Sequence, residues 1–201
     1  MEGSYAIKKI VIFLILFFFI GCREQTTNTS VQLFLHDSFE NGDIICRLGN
    51  GYFSNIFKNF SNEEKKYSHI GIIEKNNDSV YVIHCEASEF SGIGFVKREK
   101  INVFLDKINT WAVFRFSVHD SIQKKIVQNA LIYYEKKTPF DLNFDLTNDN
   151  EVYCTELVAL CINKSFNYNI IKPNLILNNK YFYGIDNIYH NPKMNLIINH
   201  D

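Results

Sequence analysis

The sequence predicts an α+β domain in which an antiparallel sheet or barrel packs against a helix. Three observations predict it. Stretches rich in β-branched and aromatic residues lie at 44–46, 67–74, 80–87 and 111–118, bounded by turn residues. Two of them, 67–74 and 80–87, flank the short turn Asn76-Asn77-Asp78 and read as a hairpin. Two helical patterns then follow, at 121–136 and 153–164.

Composition sets the limits. The chain has 201 residues, 46% hydrophobic and 21% charged, with a formal net charge of −1. That suits one globular domain and excludes a disordered chain. A duplex-binding protein needs a basic surface to displace counterions, so no nucleic-acid partner is expected. With 18 Phe and 11 Tyr, the residues beyond the leader can bury a sizeable core.

In chain order, the first element is a leader. Lys8 and Lys9 precede an unbroken apolar run, Ile10 to Ile20, that ends at Gly21-Cys22. Such a run covers only ~16 Å of helix, too short for a bilayer core of ~30 Å. Basic start, apolar run and small residue together make a secretory signal. Phe19-Ile20-Gly21-Cys22 resembles a bacterial lipobox, which implies cleavage and lipidation at Cys22. The expected organisation is a signal peptide at 1–21, a polar tether at 22–31 and a single domain at 32–201, held on the bacterial cell envelope outside the cytoplasm. Four cysteines remain, Cys46, Cys85, Cys154 and Cys161. Their spacings show neither a disulfide framework nor a Cys-x-x-Cys zinc pattern, so buried thiols are expected, one of them reactive.

Within the domain, Glu40-Asn41-Gly42-Asp43 is turn chemistry and leads into the strand Ile44-Ile45-Cys46. Residues 49–66 lack a clean period and read as loop with one helical turn. Residues 91–97 read as a Gly-bearing connection. The helix from Ser121 to Lys136 carries Ile122, Ile126, Ala130 and Tyr133 or Tyr134 on one side, with Asp120 or Ser121 as its N-cap. A polar loop covers 139–150. The tail from Phe166 is irregular and aromatic, and wraps the domain.

Chemistry concentrates in three pieces. Cys154 ends the polar loop and starts a helix, where unpaired N–H groups and the positive end of the dipole favour a thiolate. The same N–H groups suit an oxyanion. His69 lies on a strand whose alternation puts His69, Gly71 and Ile73 on one face, and Gly71 leaves space above the imidazole. Whether the turn centres on Asn76-Asn77 or Asn77-Asp78, His84 and Glu86 share that face, one directly across from His69 and the other diagonal. A three-residue loop would instead bring Cys85 beside it. A carboxylate there would orient the ring and stabilise its charged form, which makes Glu86 the choice for third group and His84 the alternative. His36, His119, His190 and His200 read as surface groups, Cys161 as core, and Glu156 as a complement to the helix dipole. No metal or cofactor is expected.

These residues resemble a known family. Gly42-Asp43-Ile44-Ile45, Tyr67-Ser68-His69-Ile70-Gly71-Ile72, Glu86-Ala87 and Tyr153-Cys154-Thr155-Glu156-Leu157-Val158 are similar to the motif series of the YiiX/YaeF-like permuted papain enzymes. These belong to the wider NlpC-type group of bacterial cysteine peptidases and amidases. The resemblance implies a circularly permuted papain-like fold, with Cys154 as nucleophile, His69 as base and Glu86 as orienting acid. It further implies Tyr153 as a residue lining the substrate site, Asp43 as a structural turn residue and Pro139-Phe140-Asp141 as cleft wall. The expected function is hydrolysis of a peptide or cell-wall-type amide through an acyl-enzyme, on a peptide, amide or lipid-linked small substrate. Acyl-lipid hydrolysis or transfer on the same fold is the alternative, and a binding lipoprotein without turnover is the third.

Overall fold

The computed structural model describes residues 36–177 and 179–201. The expected signal peptide, Cys22 and tether lie outside the described residues. No described helix is long and apolar enough to cross a membrane. Residues Ser38–Asp201 form one compact unit.

Six antiparallel strands make the sheet. In chain order they are β1 (Ile44–Arg47), β2 (His69–Asn76), β3 (Ser79–Ala87), β4 (Gly94–Lys100), β5 (Trp111–Phe116) and, after two further short strands, β8 (Met194–His200). Their spatial order is β4-β3-β2-β1-β5-β8. The β2–β3 turn centres on Asn77-Asp78, since Asn76 pairs with Ser79 and Ile72 with Ile83. Continued to the start of β2, this register sets His69 across from Glu86 and Gly71 across from His84. Asn77 takes a left-handed conformation, φ 50°, that Asn tolerates in a tight turn.

Two long helices cover one face, α3 (Asp120–Glu135) and α4 (Cys154–Phe166). Strand alternation delivers Ile70, Ile72, Ile83, Cys85 and Val96 to this face, where they pack with Ile126, Ala130, Leu157, Val158 and Cys161. His69, Gly71, His84 and Glu86 fall on the other face. A single turn of helix, α2 (Ile101–Phe104), sets the Phe104 ring against that face. A further short helix, α1 (Tyr52–Phe57), occupies the loop that was expected to hold one turn.

Three sequence expectations need correction. The 91–97 segment was read as a connection, yet Gly94–Lys100 is a full strand paired with β3. Its charged run, Lys97 to Lys100, suits the edge of a sheet, where charge discourages pairing with a second chain. The N-cap of α3 is neither Asp120 nor Ser121: the His119 ring accepts from the Ser121 N–H at 3.3 Å. The tail is not irregular throughout. It forms the hairpin β6 (Leu175–Leu177) and β7 (Lys180–Phe182), the helix α5 (Ile185–Tyr189) and the edge strand β8 against β5.

Asp43 behaves as the structural residue expected of it. Its fully buried carboxylate accepts from Arg115 Nε and Nη2 at 2.7 and 2.8 Å and from the Glu40 N–H at 2.8 Å. The pair locks the turn into β1 to β5. Gly42, at φ +84° and backed by the Gln123 carbonyl, is required by that turn.

Candidate active site

Cys154 is the first residue of α4, after Tyr153 in extended conformation. The backbone N–H groups of Thr155, of Cys154 itself and of Ile70 all act on its thiol and lower its pKa. Burial acts against them and wins, pushing the thiol up to about 12. The helix start was expected to raise the thiolate fraction. In the resting protein desolvation outweighs that effect, so the thiol is neutral. Contact with the Ile70 N–H also fixes the location: the sulfur sits at the beginning of β2, next to His69 in sequence.

The start of α4 is pinned by the tail. The Tyr153 hydroxyl accepts from the Tyr183 N–H at 2.9 Å, and Thr155 Oγ1 donates to the Tyr183 carbonyl at 2.7 Å. Glu156 reaches back to accept from the Tyr153 N–H at 3.3 Å. Its carboxyl is buried and pushed up to about 8, so it serves the helix end and not as a free anion. Tyr153 lines the cavity, and with its hydroxyl engaged it offers mainly ring.

His69 and His84 are bonded to each other, Nε2 to Nδ1 at 2.8 Å. Phe104 packs against both rings, with centroids 5.8 and 5.0 Å away. Burial holds both imidazoles below their ordinary pKa and therefore neutral at pH 7. The other ring nitrogen of His84, Nε2, lies 3.1 Å from Glu99 Oε1, oblique to the ring N–H. Gly71 makes this possible: a Cβ there would stand 3.1 Å from His84 Cβ and 2.6 Å from Val82 Cγ1. The space above Gly71 thus receives a neighbouring strand's side chains, not the substrate or helix end that the sequence suggested.

Glu86 shares the face of His69 but bonds elsewhere. Its Oε1 accepts from Arg47 Nη2 at 2.8 Å and its Oε2 from Lys97 Nζ at 2.9 Å. Despite partial burial, the imidazoles and Arg47 hold its carboxyl down to about 2. Arg47 also donates to the Phe104 carbonyl and lies 4.2 Å above its ring.

Cys154, His69, Glu86 and Tyr153 all line one cavity of about 260 Å³. Its remaining wall is largely aromatic and aliphatic, with Phe57, Phe60, Phe140, Leu142, Phe144 and Ile185. Cys154 comes from the helix-covered side of the sheet and His69 from the other, and both line this cavity at the start of β2. Four residues escaped the sequence reading: Arg47, Lys97, Glu99 and Phe104. For the first three the available signal was alternation, since Arg47 pairs with His69 and Lys97 with His84 across the sheet.

A thiol at a helix start and an imidazole on a sheet share one cavity, with His preceding Cys in sequence, the order of a permuted papain-like fold. The chain belongs to the Peptidase_C92 family, permuted papain-like amidase enzymes of the YaeF/YiiX type, whose profile matches residues 38–187. It is a member of a cysteine peptidase and amidase family. Among solved structures it is similar to metalloprotein YiiX from Escherichia coli O157:H7, at 17% identity and a TM-score of 0.66. That similarity covers 80% of this chain and 97% of that one. No curated protein matches the sequence. The metal implied by that neighbour's name finds no fit here. Among the described residues no three His, Cys, Asp or Glu side chains are grouped to hold an ion.

Proposed function

We propose that this chain is an envelope-anchored thiol hydrolase that cleaves an amide bond through an acyl-enzyme on Cys154. The observation that carries the reading is that Cys154 and His69 line one cavity, with Cys154 at the first residue of α4. His69 Nε2 is spent on His84, so Nδ1, which bonds no other described side chain, is the nitrogen left to take the thiol proton. Sulfur attacks the carbonyl carbon, the C–S bond forms, and the oxyanion meets N–H groups at the first turn of α4. His69 then gives its proton to the leaving amine as the C–N bond breaks. Water, activated by the same ring, releases the acid and restores the thiol.

Since thiol and imidazole are both neutral at rest, proton transfer accompanies attack instead of preceding it. Of the two candidates for the group that orients His69, the 2.8 Å contact favours His84 over Glu86. Tyr153 contributes cavity wall beside the nucleophile. The lipobox-like sequence at Cys22 supports a lipid anchor on the outer side of a bacterial membrane.

The apolar cavity wall favours a second reading, acyl-lipid hydrolysis or transfer, in which an acyl chain lies along Phe57, Phe60 and Phe144. Short peptides carrying D-amino acids, compared with phospholipids as substrates, separate the two. Iodoacetamide at mild pH should modify Cys154 ahead of Cys46, Cys85 and Cys161. Equal modification of all four would end the proposal. Loss of fatty-acid labelling in Cys22→Ala tests the anchor separately.

A further inference from the structure

We propose that Glu99 and His84 are positioning residues that set the tautomer of the base, in a chain running Glu99–His84–His69–Cys154. The inference rests on the proposed roles of Cys154 and His69 and adds what prepares them.

Neighbouring His84 and Lys97 hold Glu99 below the ordinary carboxylate range, so it is an ion that accepts hydrogen bonds and donates none. Its Oε1 lies 3.1 Å from His84 Nε2. A neutral imidazole has a single N–H, and this neighbour draws it to Nε2. Nδ1 of His84 is then a bare acceptor. It faces His69 Nε2 at 2.8 Å, so the His69 proton must reside on Nε2. Nδ1 of His69 is left with a free lone pair, the form a base toward Cys154 requires. In the opposite arrangement His84 would donate from Nδ1, and His69 would carry its proton on Nδ1 and be unable to accept one.

Glu86 is less suited to this task. Each of its oxygens is bonded to a cation, Arg47 or Lys97, so the trio carries net positive charge beside the imidazoles. Glu99 is the carboxylate whose 3.1 Å contact is with the imidazole chain itself. Phe104 covers both rings and keeps water from competing for their nitrogens. The charged groups that face the pair are thus Arg47 from β1, Glu86 from β3, and Lys97 and Glu99 from β4.

The test uses the full chain and needs no substrate. Ring 15N resonances should show His69 and His84 both protonated at Nε2. Glu99→Val should yield mixed tautomers at His69 and slow iodoacetamide modification of Cys154 about tenfold, at unchanged thermal midpoint. Glu99→Gln keeps a carbonyl acceptor, and should retain the tautomer while losing less of the rate. His84→Asn keeps an acceptor for His69 but cuts the link to Glu99, so adding Glu99→Val to it should cost nothing more. An unchanged His69 tautomer and modification rate in Glu99→Val would overturn the chain, as would full additivity of the two substitutions. A Cys154 no faster than an unfolded thiol would instead remove the proposed hydrolase, while the ring resonances still report on the chain.

Discussion

Helix α4 holds two thiols one heptad apart, Cys154 at its first residue and Cys161 in its middle, and they share burial but little else. Burial raises the pKa of both. At the N-terminal end three backbone N–H groups oppose that effect, a cavity opens beside the sulfur, and the tail is stapled to the helix through Tyr153 and Thr155. At Cys161 no backbone N–H counters burial, and the side chain packs among Ile126, Ala130 and Val158 in the core. Beyond it the helix closes on Asn167 in the left-handed conformation, with exposed Lys164 paired to Asp149. On the proposed reading, backbone donors and an opening set the nucleophile apart from a core cysteine, not its degree of enclosure.

The widest separation between the ends should come from the thiols themselves. Cys154→Ala is expected to lower amide hydrolysis at least about a thousandfold, while Cys161→Ala leaves turnover intact and lowers stability by ~1 kcal/mol. Equal rates in the two variants would erase the distinction.

Acidity also distinguishes them, because the imidazoles lie at the N-terminal end. With His69 held below 6.5, hydrolysis should persist from pH 8 to below pH 6.5, and a profile falling at pH 7 or above would contradict a buried neutral base. Stability shifts in the same window. His69 and His84 bind protons more weakly folded than unfolded, so lowering the pH below about 6.5 favours the unfolded chain. Glu156 works oppositely, since its carboxyl at about 8 disfavours the folded state as pH rises from about 4.5. Urea midpoints across pH 4 to 9 check both slopes.

Gly71→Ala tests geometry without altering charge. Its methyl group would press on Val82 and His84, and turnover should fall about tenfold while Cys154 still reacts with iodoacetamide in the unfolded chain. Thr155→Val leaves the Tyr183 carbonyl without its donor, and should cost ~1–2 kcal/mol in chemical denaturation. The smallest effect belongs to the far end. Asn167→Gly relieves a left-handed residue at φ 58° and should add less than ~1 kcal/mol with no change in rate.

How much of this was legible in sequence follows from how local each signal is. The hairpin was readable because Asn76-Asn77-Asp78 and strand alternation lie within twenty residues, and either two-residue register put His84 and Glu86 beside His69. Cys154 was readable because a helix start has its own chemistry. What remained hidden came from partners distant in sequence. The Arg47 and Lys97 that claim Glu86 are brought in by pairing of β1 with β2 and of β4 with β3. Strand β4 was missed because its charges outnumber its apolar residues, and an edge strand needs few of the latter. The sign of the thiol shift was missed because desolvation is a property of the packed molecule, absent from any short motif.

The staple between Tyr183 and the start of α4 has a consequence for how the protein comes into being. Chain synthesis runs from the amino end, and residue 183 emerges some thirty residues after the sulfur it helps to seat. A nascent chain halted between Thr155 and Tyr183 holds His69, His84 and Cys154 yet lacks the clamp on Tyr153 and Thr155. On the proposed reading, reactivity waits until Tyr183 has been made, and a product truncated before it should be chemically quiet.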